Sequence, residues 1–233
     1  MSTATYLARR GQIETYFDRT AAATWQRLTS DAPVSGIRAT VRAGRDRMRA
    51  TLLGWLPLDL HGRRILDAGC GTGAMAVELA RRGAQVVAID LSPTLVSTAR
   101  ERWASEPFSG AIAFRSGDML DPSLGRFDHV VGMDSLIHYT APDVVRALSG
   151  LSARVERSLL FTFAPRTPML SVMHAVGRLF PRGDRAPAIE PVGEAAIARS
   201  LGSDPSLAQW RIGRTQRIAS GFYTSQAMEV VRP

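Results

Sequence analysis

The residues best equipped for chemistry are a run of glycines behind a carboxylate, Asp67-Ala68-Gly69-Cys70-Gly71-Thr72-Gly73, and two acids downstream, Asp90 and Asp118. Glycines in such a run let the chain turn sharply and bring its backbone against a ligand without interference from Cβ. Gly69, Gly71 and Ala74 also satisfy the G-x-G-x-x-G/A spacing of a dinucleotide loop, so the glycines alone do not choose a cofactor. Asp67 does. A carboxylate two residues before the first glycine repels a diphosphate in a poorly screened crevice and favours a ligand bearing an ammonium and a sulfonium, as S-adenosylmethionine does. Asp90, 23 positions after Asp67, is placed to accept from ribose hydroxyls. Asp118 is placed to receive the adenine amino group while Met119 covers the ring, although taken alone it reads better as a turn or helix-cap residue. Leu91 beside Asp90, Met133 at the end of a fourth apolar run, and Tyr16 complete the expected cofactor contacts.

These residues need a scaffold, and the apolar pattern supplies one. Short, nearly all-apolar runs at Arg64 to Asp67, Gln85 to Asp90, Ala111 to Arg115, Phe127 to Met133 and Ser158 to Phe163 read as strands covered on both faces. Helical segments at Ala74 to Arg82, Thr94 to Trp103 and Pro142 to Ala153 alternate with them, the rhythm of a parallel sheet. Two last strands are expected at Trp210 to Thr215 and Gly221 to Val231. Residues 1–57 read as two helices joined at Pro33, one presenting Ile13, Tyr16, Phe17 and Trp25, the other Ile37, Val41, Met48 and Leu52. The expectation is therefore an α/β chain: a Rossmann-like sheet over residues 58–233 with helices on both faces, an N-terminal helical lid over residues 1–57, and an insertion at about 164–200 with one apolar helix, Met169 to Phe180. The glycine loop then lies where a strand's carboxyl end meets a helix start, the usual ligand position of open α/β sheets.

Composition narrows the chemistry. All 29 basic side chains are arginine and the net charge is +8, so mechanisms that need a lysine amine are excluded, while carboxylate or phosphate recognition is favoured. The single cysteine cannot form an internal disulfide or a cysteine-rich metal site, and His61, His129, His138 and His174 show no ligand spacing, so no protein-bound metal is expected. No run is long and apolar enough to span a membrane, and the N-terminus has no secretory pattern, which reads as a cytoplasmic protein. No aromatic-interleaved basic stripe marks a nucleic-acid surface.

The loop, Asp90, Asp118 and the fourth strand ending Met133-Asp134 together resemble the class I methyltransferases. Methyl transfer is an in-line displacement, so the acceptor's chemistry sets what the remaining residues must do. The segment after the fourth strand, Met133-Asp134-Ser135-Leu136-Ile137-His138-Tyr139, lacks the Pro-Pro motif of base-amine methylation. Cys70 is committed to the loop, and the clustered carboxylates of a catechol enzyme are missing. A carboxylate acceptor is different: already ionised at pH 7, it needs arginine, a hydrogen-bond donor and dryness.

More particular segments are Tyr16-Phe17-Asp18, Val41-Arg42-Ala43-Gly44, Leu136-Ile137-His138-Tyr139, Phe163-Ala164-Pro165-Arg166-Thr167 and Gly177-Arg178-Leu179-Phe180-Pro181. With these the chain resembles, almost end to end, the magnesium protoporphyrin IX O-methyltransferases of chlorophyll and bacteriochlorophyll synthesis. The resemblance implies methyl transfer from S-adenosylmethionine to one propionate of Mg-protoporphyrin IX, and the family's catalytic histidine falls on His138. From the residues alone, His138 stays open between packing and hydrogen bonding of the accepting carboxylate, and Arg166 between a solvated loop and a propionate clamp. Met169, Met173 and Phe180 would supply one apolar wall for the macrocycle. A Mg-chelatase subunit enters by family analogy as a delivery partner. Arg38, Arg42, Arg45, Arg47 and Arg49 are compatible with peripheral contact to a photosynthetic membrane, a solvated helix face being the simpler meaning. Two departures from the family pattern are Thr29, where a tyrosine is expected, and Arg45, where histidine is common.

Overall fold

Five strands, β1 (Arg64–Ala68), β2 (Gln85–Asp90), β3 (Ala111–Ser116), β4 (Phe127–Gly132) and β5 (Val155–Phe163), pair in parallel in the order β3-β2-β1-β4-β5. Beyond β5 the sheet continues antiparallel through β7 (Tyr223–Val231) to β6 (Arg211–Ser220). These coordinates are a computed structural model that describes residues 4–20, 29, 36–166 and 188–233. Trp25 and the expected helix Met169 to Phe180, with Met173, lie outside the described residues.

Strand pleating divides the core. Leu66, Val87, Ile89, Val130, Leu159 and Phe161 point to one face, where they pack with Tyr6 and Ile13 of α1 (Ala4–Thr15), Val144 and Leu148 of α5 (Ala141–Ser152), and Ile197 of α6 (Glu194–Ser203). Their neighbours Ile65, Val86, Ala88, Val131 and Leu160 point the other way, onto Met48 and Leu52 of α2 (Gly36–Trp55) and Met75 and Leu79 of α3 (Ala74–Arg81). α4 (Pro93–Trp103) lies along β2 and β3, its first turn capped by the Ser92 hydroxyl.

The expectation that the first five strands are covered on both faces fails at the edge strand β3, and the last strand in the order, β6, is open as well. β3 alternates exposed Ala111 and Ala113 with partly buried Ile112 and Phe114, and β6 is mostly exposed. Both are edge strands with a single neighbour. β6 also runs five residues past the expected Thr215 because a register shift between Ile212 and Thr215 interrupts the pattern without ending the strand. No helix was expected at α6, which follows the Pro- and Arg-rich stretch in sequence and buries Ile197 and Leu201. In α2, Gly44, Met48 and Leu52 form the buried stripe at intervals of four, whereas Ile37, expected on the same face, is exposed. Gly44 sets how close α2 lies: a Cβ there would meet the Tyr223 ring at 2.5 Å.

Candidate active site

β1 has β2 on one side and β4 on the other, so the chains leaving β1 and β4 diverge and open a crevice at their carboxyl ends. The crevice holds a cavity of about 600 Å³. All the sequence-predicted site residues line it except Arg166: Tyr16, Asp67, Gly69, Cys70, Gly71 and Asp90 come together with Leu91, Asp118, Met119, Met133 and His138. Arg166 lies apart from the others. Its side chain is exposed and does not line the cavity, because its N–H donates to the Val192 carbonyl at 3.0 Å while Pro165 bridges Val192, which steers the chain after β5 away.

The glycine loop is built as its composition requires. Gly69, Gly71 and Gly73 all have positive φ, of 85°, 52° and 85°. A side chain at Gly69 would drive its Cβ into that of Ser135. The Gly69 and Cys70 amides donate to the Ile89 carbonyl, tying the loop to β2, and the Gly71 amide donates to Asp90 Oδ2 at 2.8 Å. Asp90 Oδ1 accepts from the Ser92 amide at 3.0 Å. Each Asp90 oxygen thus carries one of these amides and keeps a lone-pair direction for a ligand hydroxyl. Desolvation pushes its carboxyl up, against the pull of those amides.

Asp67 is more extreme. It is buried, Oδ2 has no hydrogen-bond partner among the described residues, and burial together with the nearby Asp90 charge pushes its carboxyl up to about 7. A buried carboxylate left this incomplete is costly unless something cationic completes it. Cys70 is buried beside both acids; burial first, then their charges, hold its thiol well above the usual range, so it stays a neutral wall residue.

The N-terminal segment covers the crevice and ties itself to it. Tyr6 stacks on Tyr139 with ring centroids 5.1 Å apart, and its hydroxyl donates to Asp118 Oδ1 at 3.0 Å. Arg10 donates to Asp118 Oδ2 at 3.0 Å and Arg9 to Glu190 at 2.7 Å. Asp118, expected to face the cofactor, therefore also anchors α1, and its Oδ1 takes the Leu120 amide as well, as the turn reading required. Past α1, in the turn Tyr16–Thr20, Asp18 accepts from the Ser92 hydroxyl and the Thr94 amide, putting an anion at the N-terminus of α4.

The opposite wall carries residues the sequence reading missed. Asp134, with φ of 57°, is the one non-glycine residue with positive φ among the described residues. Its carboxylate accepts from Arg45 at 2.5 Å, from the Tyr223 hydroxyl at 3.1 Å, and from the Ser225 and Thr162 hydroxyls. Burial pushes the Tyr223 phenol up, which keeps it a donor to this carboxylate. Next in sequence, the Ser135 hydroxyl lines the cavity buried and without a partner among the described residues. Its signal was a polar residue three positions past a strand's carboxyl end. His138 is 7% exposed; Nδ1 lies 3.3 Å from the Ala188 carbonyl, which can only accept, so Nδ1 carries the hydrogen and Nε2 is the acceptor-capable nitrogen. Thr29 also lines the cavity, its hydroxyl 2.8 Å from that of Thr72. Among the described residues no group of His, Cys, Asp and Glu side chains could hold a metal ion, and no helix is long and apolar enough to cross a membrane.

A seven-stranded mixed sheet of this order, with β7 antiparallel to its two neighbours, a glycine loop after β1 and an acid ending β2, defines a class I methyltransferase, and residues 65–157 match a methyltransferase-domain family. Residues 132–232 match the family described as the magnesium-protoporphyrin IX methyltransferase C-terminus. The magnesium-protoporphyrin O-methyltransferase of Rhodobacter capsulatus is 48% identical over 96% of this chain and 97% of its own length, and that of Synechocystis is 31% identical over 94% and 95%. The crystal structure of the Synechocystis magnesium protoporphyrin IX methyltransferase with bound SAH superposes with a TM-score of 0.82 at 29% identity, covering 96% of this chain and all of that one. The chain belongs to the magnesium-protoporphyrin O-methyltransferase family.

Proposed function

We infer that this chain transfers a methyl group from S-adenosylmethionine to a propionate carboxylate of Mg-protoporphyrin IX, giving the monomethyl ester and S-adenosylhomocysteine. The observation that carries the reading is the Asp67 carboxylate, buried at the foot of the cavity with one oxygen unpartnered among the described residues, which an ammonium or sulfonium ligand would complete. S-adenosylmethionine supplies an electrophilic methyl carbon on a cationic sulfur. In this reading Asp67 holds the donor's positive end, Asp90 accepts from its ribose hydroxyls, and Met119 and Leu91 flank its base, with Asp118 at the base edge where α1 is anchored. Ser135 offers its hydroxyl to a ligand oxygen.

The acceptor carboxylate is ionised at neutral pH, so the protein's work is to dry it, align it and hold its charge. His138, fixed through Nδ1, presents Nε2 for the proton of any acid that enters un-ionised, and Phe17, its ring centroid 6.0 Å away, limits water around it. Delivery of the macrocycle by a Mg-chelatase subunit, a cytoplasmic setting and peripheral contact with a photosynthetic membrane extend the same reading. Exposed Ile37 and Phe222, with Arg38 next to Ile37 in sequence and Arg47 donating to the Ala219 carbonyl beside the turn that holds Phe222, support the membrane contact.

Incubation with labelled donor and Mg-protoporphyrin IX, metal-free protoporphyrin or bulk RNA tests the reaction: label is expected in the magnesium porphyrin, and label confined to RNA would refute it. His138→Ala is expected to lower kcat about 100-fold while calorimetric donor affinity stays at the wild-type value.

A further inference from the structure

S-adenosylmethionine ends in an α-amino acid, with an ammonium and a carboxylate on one carbon, so the donor brings an anion into the crevice as well as a cation. Resting on that donor and not on the acceptor, we propose that Arg49 binds the donor's carboxylate while Asp67 takes its ammonium, the two side chains forming a receptor for a zwitterion.

Arg42, Arg45 and Arg49 all line the cavity from α2. The surroundings of Arg49 put it at the donor end. Met48 and Leu52, buried on α2 to either side of it, share one core cluster with Cys70 of the glycine loop and Met75 in the first turn of α3. Its charge also reaches Asp67, where it pulls the carboxyl down against the upward push of burial and of Asp90. Yet the two side chains form no ion pair. Arg49 donates to Asp46 at 2.5 Å, three residues back on its own helix, and Asp67 Oδ2 has no hydrogen-bond partner among the described residues.

Opposite charges that line one cavity without closing on each other leave a place for a ligand between them. A guanidinium has five N–H donors in a planar fork. Arg49 gives one to Asp46, and the others, which have no partner among the described residues, can offer an edge to a carboxylate. A ligand carrying only positive charge would gain little here, because Arg49 repels the ammonium and sulfonium that Asp67 attracts. The arrangement favours a ligand with both signs at one end. The intact amino acid is then the feature by which the site selects its donor, and an adenosine compound lacking the carboxylate leaves Arg49 opposing its amine.

The test is calorimetry on the full chain in wild-type, Arg49→Gln and Arg49→Lys forms, with S-adenosylhomocysteine and its decarboxylated analogue, which keeps the amine, as ligands. Wild type is expected to bind S-adenosylhomocysteine roughly tenfold or more tighter than the analogue, the scale of a charge-assisted hydrogen bond. Arg49→Gln should weaken S-adenosylhomocysteine by a similar factor while the analogue keeps or gains affinity, so that the preference disappears. Arg49→Lys should retain part of the preference, since a point charge replaces the fork; if the glutamine variant does not fold, the wild-type and lysine ratios decide. Equal affinities for the two ligands in wild type, or a loss in Arg49→Gln that is the same for both, overturns the inference. Failure of wild type to bind S-adenosylhomocysteine at all overturns the donor reading instead.

Discussion

The two ends of the crevice treat their carboxylates in opposite ways. At the ends of β1 and β2, Asp67 and Asp90 are desolvated and shifted upward, and Asp67 Oδ2 has no partner among the described residues. Some residues away, at the end of β4, Asp134 accepts from four side chains drawn from α2, β5 and β7. The first arrangement is finished by a ligand; the second is finished by the protein. A carboxylate meant for a cation must stay available, whereas one beside the path of an anionic substrate must have its charge spent on the fold, or it would repel what it borders.

Truncating the finished end should cost stability and leave the donor alone. Asp134→Ala removes the buried carboxylate that Arg45 and the Tyr223, Ser225 and Thr162 hydroxyls all donate to, a loss of about 3 kcal/mol, read as a fall in Tm of roughly 10 °C with calorimetric donor affinity changed less than threefold. If donor affinity collapses while Tm holds, the division between the ends is wrong. Asp90→Ala should do the reverse: donor Kd rises about 100-fold through loss of two charge-assisted hydrogen bonds, with Tm of the ligand-free protein within a few degrees of wild type.

The smallest effect is the most diagnostic. Asp67 titrates at about 7 without a ligand, and a cation binds its ionised form, so donor affinity should be near its maximum above pH 8 and fall as pH drops through 7, by at most tenfold per unit. Calorimetry in two buffers should register proton release near pH 7, and Asp67→Asn should flatten both signals. A donor affinity independent of pH between 6 and 8 in the wild-type protein would remove Asp67 from the binding of the cation.

What the sequence made legible follows from where each contact lies along the chain. The glycine loop, Asp90 and Asp118 are read from local spacing, because a strand end and the turn after it fix each residue's position. Asp134 was visible only as a strand end, since its partners at 45, 162, 223 and 225 reach it through the packing of α2 and β7, which no periodicity announces. The surroundings of Arg166 were hidden for the same reason: its place after β5 suggested the crevice, and its N–H pairs with Val192, 26 residues later. The double duty of Asp118 was hidden too, as Tyr6 and Arg10 are more than a hundred positions upstream.

Gly44 lies flat on the Tyr223 ring, whose hydroxyl in turn bonds Asp134. The gauge of the crevice is thus set by a missing methyl group. Any larger residue at 44 would lever a whole helix outward and carry three guanidinium groups with it, so a position that touches no reactant governs the width available to a flat, rigid guest.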